Sequence, residues 1–412
     1  MTNRFTNNPQ WGDAVVGNLT TGKVEYIKGE TLDTSALGSG YETIGVVVRR
    51  TLGKVLVAYK EEASKAWCPY LEWVVTGGST SGGTIVIRSY STDTSYQDVS
   101  ITYTGSTLQE ICNSINVSIQ KDTYLKSQKW YMFVSGEEIH AIRSYTHWGQ
   151  VNTKIISGGS MSYAILLDMA MFQAIRRRNG FKGANGVVGS LQRTIAYFKG
   201  SSVSSEFNVT SNITSVKRQY PVNYAAYTDS SNSQYQYCDL LRSTYGEGEE
   251  GWLRHVRSCM PVNPCEYGNM GQDDDYAKDI TKYLAEATLP DAYVTAYSLS
   301  DNHYSPAGVY AHGISTNVLP AGSFHIPSIA QVCQTLDGIE YGTNSSRTAD
   351  KVNATLYKMG GSALSNGSYR WSACRFSASY AWDVLGSYGC AWRNYLCLSY
   401  VVRPLVLLNL NN

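Results

Sequence analysis

The stretch Trp371–Pro404, WSACRFSASYAWDVLGSYGCAWRNYLCLSYVVRP, constrains this chain more than any other part of it. Three indoles, Trp371, Trp382 and Trp392, stand among small residues and tyrosines, and the run closes on Val402-Arg403-Pro404. It contains no Lys, Glu, Gln, Met, Ile or Thr, although Lys and Glu are common elsewhere in the chain. A solvent-facing β segment ordinarily carries Lys, Glu and Thr on its wet face. Here Tyr, Ser, Arg, Asn, Asp, Cys and Leu occupy those places. Tyr, Ser, Gly and Asn, with Arg or Trp at energetic centres, are what binding loops use to present adaptable contact area at low entropic cost. Strand alternation points Trp382 and Val384 inward and Asp383 and Leu385 outward.

At these residues the segment resembles the C-terminal variable region of C-type-lectin-fold proteins diversified by retroelements in gut Bacteroidales and their phages. Trp371-Ser372 stands for the family's opening WS, Ala381-Trp382-x-Val384 for its AWxV, Gly389 for a hairpin glycine and Val402-Arg403-Pro404 for its close. Randomising the adenines of an AAY codon cannot yield Lys, Glu, Gln, Met or Trp, and outside the three tryptophans the segment obeys that exclusion. Upstream, Phe324-His325-Ile326-Pro327-Ser328 resembles a phrase that opens a helix in the family, and Lys351–Leu364 (KVNATLYKMGGSAL) resembles another. The resemblance covers about residues 305–406. It implies an elaborated C-type-lectin-like fold whose last strands form a short antiparallel sheet with a shallow site.

The family's diversified positions, with the alternation, nominate Arg375, Phe376, Ser379, Tyr380, Asp383, Leu385, Tyr388, Cys390, Asn394, Tyr395 and Leu396 as a ligand-contact surface. Trp371, Trp382, Gly389 and Arg403 would be the structural frame, with Arg403 pairing carbonyl or carboxylate groups through its planar fork. Trp392 departs from what a diversified position allows. The competing reading of the same list is a Tyr-rich strand surface buried against another subunit.

Chemistry is sparse in the rest of the chain. There is no HExxH zinc motif, P-loop, GxSxG elbow or dinucleotide fingerprint. The six histidines are scattered, and none has a nucleophile marked beside it. Enzymes such as formylglycine-generating oxidases share the lectin-like fold, but the cysteine context they need for copper is missing around Cys374 and Cys390. The expectation is therefore no enzyme, no cofactor and no metal. Asp273-Asp274-Asp275 reads as acids at a helix start rather than a calcium site. A net charge of +1 leaves no footprint for nucleic acid. No apolar run is long enough to span a membrane, and the N-terminus has no signal-peptide core. The nine cysteines show no CxxC spacing and read most simply as buried thiols, with a Cys390–Cys397 disulfide across a hairpin left open.

Taken in order, residues 1–76 read as a small β-rich attachment domain with strands at Lys23–Lys28, Tyr41–Arg50, Lys54–Lys60 and Tyr70–Val75. Thr76–Thr84 (TGGSTSGGT) reads as a linker. Residues 77–145 read as a small α+β module, with a helix from Leu108 to Ile115 and strands at Ile85–Tyr90, Val99–Tyr103, Trp130–Val134 and Ile139–Tyr145. Residues 146–412 read as the lectin-like domain, with a large insertion at about 200–300. Helices are expected at Ser160–Asn179, Tyr276–Ala287, from Ser328 onward and at Thr348–Met359. The fold class is α+β.

The function implied is a phage virion fibre or tip protein, made in the bacterial cytoplasm and carried on the particle. It would bind a bacterial surface glycan or protein through the C-terminal segment and other virion proteins through its N-terminal domain. A homo-oligomer, by resemblance a trimer, is expected. The alternatives are a purely structural head or tail decoration protein and a bacterial surface adhesin.

Overall fold

The computed structural model describes residues 2–51, 53–163, 274–328, 331, 350–365, 367–375, 379–385 and 390–410. The first strands are β1 (Ala14–Asn18), β2 (Lys23–Ile27), β3 (Tyr41–Thr51), β4 (Lys54–Tyr59), β5 (Ala63–Ala66) and β6 (Tyr70–Thr76). β7 (Gly83–Tyr90) and β8 (Tyr96–Tyr103) form a hairpin, followed by helices α1 (Leu108–Lys121) and α2 (Thr123–Ser127). β9 (Tyr131–Ser135), β10 (Glu138–Ser144), β11 (Lys154–Ser157) and β12 (Ser160–Tyr163) complete this half. Further on come helices α3 (Asp274–Glu286), α4 (Asp291–Ala296), α5 (Pro306–Gly313) and α6 (Asp350–Lys358). The chain closes with β13 (Tyr369–Arg375), β14 (Tyr380–Leu385), β15 (Cys390–Tyr395), β16 (Ser399–Val402) and β17 (Leu405–Asn409). The architecture is α+β. Among the described residues no helix is long and apolar enough to cross a membrane.

The strands form four sheets, ordered β17-β4-β3-β1-β2, β12-β6-β10-β9, β11-β7-β8 and β15-β14-β13-β16-β5. Neighbours are antiparallel except β13 and β16, which run parallel with Arg370 opposite Val401. The β-branched run Ile44–Val48 lies in β3, inside the first sheet, so both faces are covered and its four apolar side chains are buried. Gly45 within it has no alternative, because a Cβ there would lie 2.0 Å from the Ala58 carbonyl oxygen. One apolar core runs continuously from Ala14 to Leu405, and a smaller one lies between the first sheet's other face and Phe324.

This topology corrects the expected domain boundaries. β17, from the end of the chain, pairs with β4, and β16 pairs with β5, so residues 1–76 share two sheets with the C-terminus. β6 likewise pairs with β10 and β12, which removes the boundary between 1–76 and 77–145. Thr76–Thr84 is not a tether but a fixed loop between β6 and β7. Gly77 and Gly82 supply positive φ, and the Ser79 amide donates to the Tyr103 hydroxyl at 2.9 Å. Glycine and serine allowed that geometry, and packing then fixed it.

Helix ends follow local chemistry. α1 begins with a reciprocal box in which Thr107 Oγ1 accepts from the Glu110 amide and the Glu110 carboxylate accepts from the Thr107 amide. It runs past the expected Ile115 because Ile119 continues the buried face. α6 buries Val352, Leu356 and Met359 as expected. It stops where Gly360 takes φ +70° and the Gly361 amide reaches back to the Leu356 carbonyl at 2.9 Å. α3 buries Ile280 and Leu284 and starts on acids. Ser328 Oγ and the Gln331 side chain exchange bonds with each other's amides, the cap expected there. Ser160–Tyr163 is strand, not helix, because its period-two alternation turns Met161 and Tyr163 toward the core against β6. The rest of that expected helix, most of the 200–300 region, and residues 329–330 and 332–349 lie outside the described residues.

Candidate functional site

The frame beneath the C-terminal segment is built from buried side chains that bond mainly to backbone carbonyls. Trp371 is fully buried and its Nε1 donates to the Lys65 carbonyl at 3.0 Å. Trp67, also buried, donates to the Ser372 carbonyl at 3.0 Å, and Ser372 Oγ donates to the Trp382 carbonyl at 2.8 Å. Arg403 is buried with each of its three nitrogens donating. Nε and Nη2 donate to Glu62 Oε2 at 3.0 and 2.6 Å, Nη1 to the Tyr59 carbonyl at 2.9 Å, and Nη2 also to the Ser362 carbonyl at 2.8 Å. Burial alone pulls its pKa below the ordinary guanidinium value, and the Glu62 carboxylate opposes that pull. Arg370 is buried nearby, donating through Nη1 to the Ser365 and Ser368 carbonyls, and desolvation lowers its pKa to about 10.

Three of the expected contact residues are buried, which corrects their assignment. Asp383 was expected to face outward, yet it is fully buried. Strand alternation sorts the two faces of β14, with Trp382 and Val384 in the core, but it does not reveal that the second face is covered too. Asp383 lies opposite Trp371 on β13, where Tyr400 packs against both Trp371 and Tyr369, with ring centroids 5.0 and 4.8 Å apart. Burial pushes the Asp383 carboxyl well above the usual carboxylate range, and one bond from Asn394 Nδ2 to Oδ2 at 2.7 Å opposes this. Its Oδ1 has no partner. Leu396 is fully buried because the chain turns into the core after β15, its amide on the Ser379 carbonyl and its own carbonyl accepting from Cys68. Ser379 is buried at that same junction.

Tyr380, Asn394 and Tyr395 remain half-exposed. Tyr380 and Tyr395 face each other in register across β14 and β15, with ring centroids 4.3 Å apart. Arg375 ends β13 opposite Ala381, and Leu385 and Cys390 pair at the far end of β14 and β15. Phe376, Tyr388 and Gly389 lie outside the described residues. Cys397, Cys68 and Cys112 form no disulfide.

The structure adds a residue that the sequence reading missed. Trp148, which follows β10, is 47 % exposed, and its ring lies 6.2 Å from that of Tyr395 at 28°, nearly parallel. The only trace in the sequence is a tryptophan in the polar turn Thr146-His147-Trp148-Gly149. Elsewhere His140 Nδ1 lies 3.0 Å from Glu72 Oε1, and the Tyr304 hydroxyl donates to Glu72 Oε2 at 3.0 Å. This buried network ties β6 and β10 to the segment before α5. Among the described residues no three His, Cys, Asp or Glu side chains converge as metal ligands.

No protein-family model, curated protein or solved structure matches this chain. What the site can do therefore rests on its own geometry. That geometry is a cross-strand tyrosine pair, Tyr380 and Tyr395, with Trp148 against it, on a frame of buried indoles in which Asp383 Oδ1 and Arg370 Nε and Nη2 have no partner.

Proposed function

We propose that this chain is a phage virion fibre or tip protein with a C-type-lectin-like frame, whose C-terminal sheet presents a diversified surface to a ligand on the bacterial host. The observation that carries the reading is the half-exposed cross-strand pair Tyr380 and Tyr395, held on the buried indoles Trp371 and Trp382 and on the buried Arg403 fork. Tyrosines on a rigid scaffold give contact area with little ordering cost. The ordered motifs from Phe324 to Pro404 support the family-level part of the reading. The contact list narrows: Ser379, Asp383 and Leu396 leave it and act as support. Attachment to other virion proteins falls to the first sheet's outer strands, and a trimer would convert weak single-site contacts into avidity.

The experiment is an exchange of Trp371–Pro404 between isolates of differing host range, scored by adsorption. Adsorption should follow the exchanged segment. Unchanged host range, with the recombinant particles intact, would reject receptor binding and leave the decoration-protein reading in its place.

A further inference from the structure

β5 and β16 pair from Ala63 opposite Val402 to Ala66 opposite Ser399. Beyond Ala66 the contact continues. The Cys68 amide donates to the Leu396 carbonyl at 2.9 Å, and so meets the peptide group that links Leu396 to Cys397. Fixed covalent geometry then limits the distance between the two cysteines. One such bond leaves their Cα atoms about 5–7 Å apart, against the span of roughly 4.4–6.8 Å that a disulfide bridges. The thiols also sense each other's charge: burial pushes the Cys397 thiol up to about 12, and Cys68 adds to the rise. Cys390 is no rival partner. It heads β15, and the strand between it and Tyr395 covers about 16 Å. The turn that follows, closed by the Leu398 amide on the Tyr395 carbonyl at 3.0 Å, keeps Cys397 at the Tyr395 end, so the hairpin pairing of Cys390 with Cys397 is out of reach.

We propose that Cys68 and Cys397 are a modification site, a thiol pair that closes to a disulfide across the end of the β5–β16 ladder when a low-molecular-weight disulfide is present as oxidant. Cys397 is half-buried and Cys68 is buried, so Cys397 meets the reagent first. Its thiolate attacks one sulfur of the oxidant and expels the other. The Cys68 thiolate then attacks Cys397 Sγ and expels the second. Two protein thiols are oxidised, one small disulfide is reduced to two thiols, and the two cysteine protons end on the released thiols. Closure disturbs little, since Cys68 Sγ gives up only a weak contact with the Tyr70 carbonyl at 3.5 Å. The bond would lie at the opposite end of the β5–β16 pairing from Arg403, whose Nε and Nη2 hold Glu62. With both ends fastened, the C-terminal strands are tied to the N-terminal strands whose sheets they complete. A thiol titrating near 12 supplies little thiolate at neutral pH. Closure is therefore slow, and it acts as a lasting fastening, not as a rapid redox sensor. The inference is independent of the receptor reading, and either can fail without the other.

The test incubates the folded full chain with oxidised glutathione, alkylates it in denaturant and maps its peptides. Wild-type protein should yield one pair of peptides joined through Cys68 and Cys397 and separated by dithiothreitol. Closure should run roughly tenfold faster for each unit of pH above neutral, following the Cys397 thiolate. The oxidised protein should melt a few degrees higher than the reduced one, because the cross-link closes a very long loop in the unfolded chain. Cys68→Ser and Cys397→Ser should each abolish the linked peptides and the redox-dependent shift in melting. Cys112→Ala, on α1, should leave both in place. Recovery of Cys68 and Cys397 only as alkylated thiols or as separate glutathione adducts overturns the proposal, as does Cys397 joined to a different cysteine. A closure rate indifferent to pH, or an oxidised form that melts no higher than the reduced one, overturns it too. The peptide map needs only wild-type protein, so it decides the matter even where a variant fails to fold.

Discussion

Asp383 and Arg403 show how one short segment holds a buried acid and a buried base on opposite terms. Arg403 has a donor for each acceptor around it, whereas Asp383 has one bond and one bare oxygen. The folded protein holds the Asp383 proton more tightly than the unfolded chain does. Its contribution to stability is therefore complete below the unfolded carboxyl pKa and is lost as pH rises through the higher folded value. Asp383→Asn keeps the shape and removes the titration. Thermal melts should show the variant more stable than wild type at neutral pH, by about 1–3 kcal/mol, with the gap closing toward pH ~4. A constant gap across that range would exclude Asp383 as the titrating group. Arg403→Ala should cost about 3–5 kcal/mol in denaturant titrations, because Glu62 is left without its partner. Arg403→Lys should recover only part of this, since an ammonium group cannot reproduce the fork.

At the scale of elements, the buried Gln150 side chain, which staples the turn at 146–149, makes its own prediction. Gln150→Ala should destabilise the turn by about 1–3 kcal/mol, and amide exchange at Thr146 and His147 should accelerate selectively, since both amides donate to its carbonyl oxygen. Unaltered exchange at those two amides would refute the rigid turn. The same scale shows what the sequence could reveal. β2, β3, β4 and the strands from β6 to β10 were legible to within a few residues, because each carries its own alternation or continuous β-branched run between turn residues. β5, Ala-Ser-Lys-Ala, carries no such pattern and exists because β16 supplies its ladder. The site was legible in part. Alternation found Trp382 and Val384, but burial of Asp383 depends on Tyr400 and Trp371 folding over the second face, a tertiary fact with no local signature. Trp148 was invisible for the same reason, since its meaning comes from Tyr395.

For the whole molecule, the shared first sheet makes residues 1–76 dependent on the last strand. A chain truncated after Pro404 should lose protection from proteolysis across β1–β4. The isolated 1–76 fragment should lack a cooperative unfolding transition by circular dichroism, because β4 would have a bare edge and β5 no partner. A fragment that melts cooperatively would restore the boundary after Thr76. The pairing of Leu405 with Ala58 also joins positions roughly 350 residues apart, the kind of contact that slows folding most. The edge of β4 stays open until Leu405–Asn409 has been synthesised. Until that pairing forms, the open edge is a template for association with other chains, and holdase chaperones that cover it would govern how much of the protein reaches its finished form.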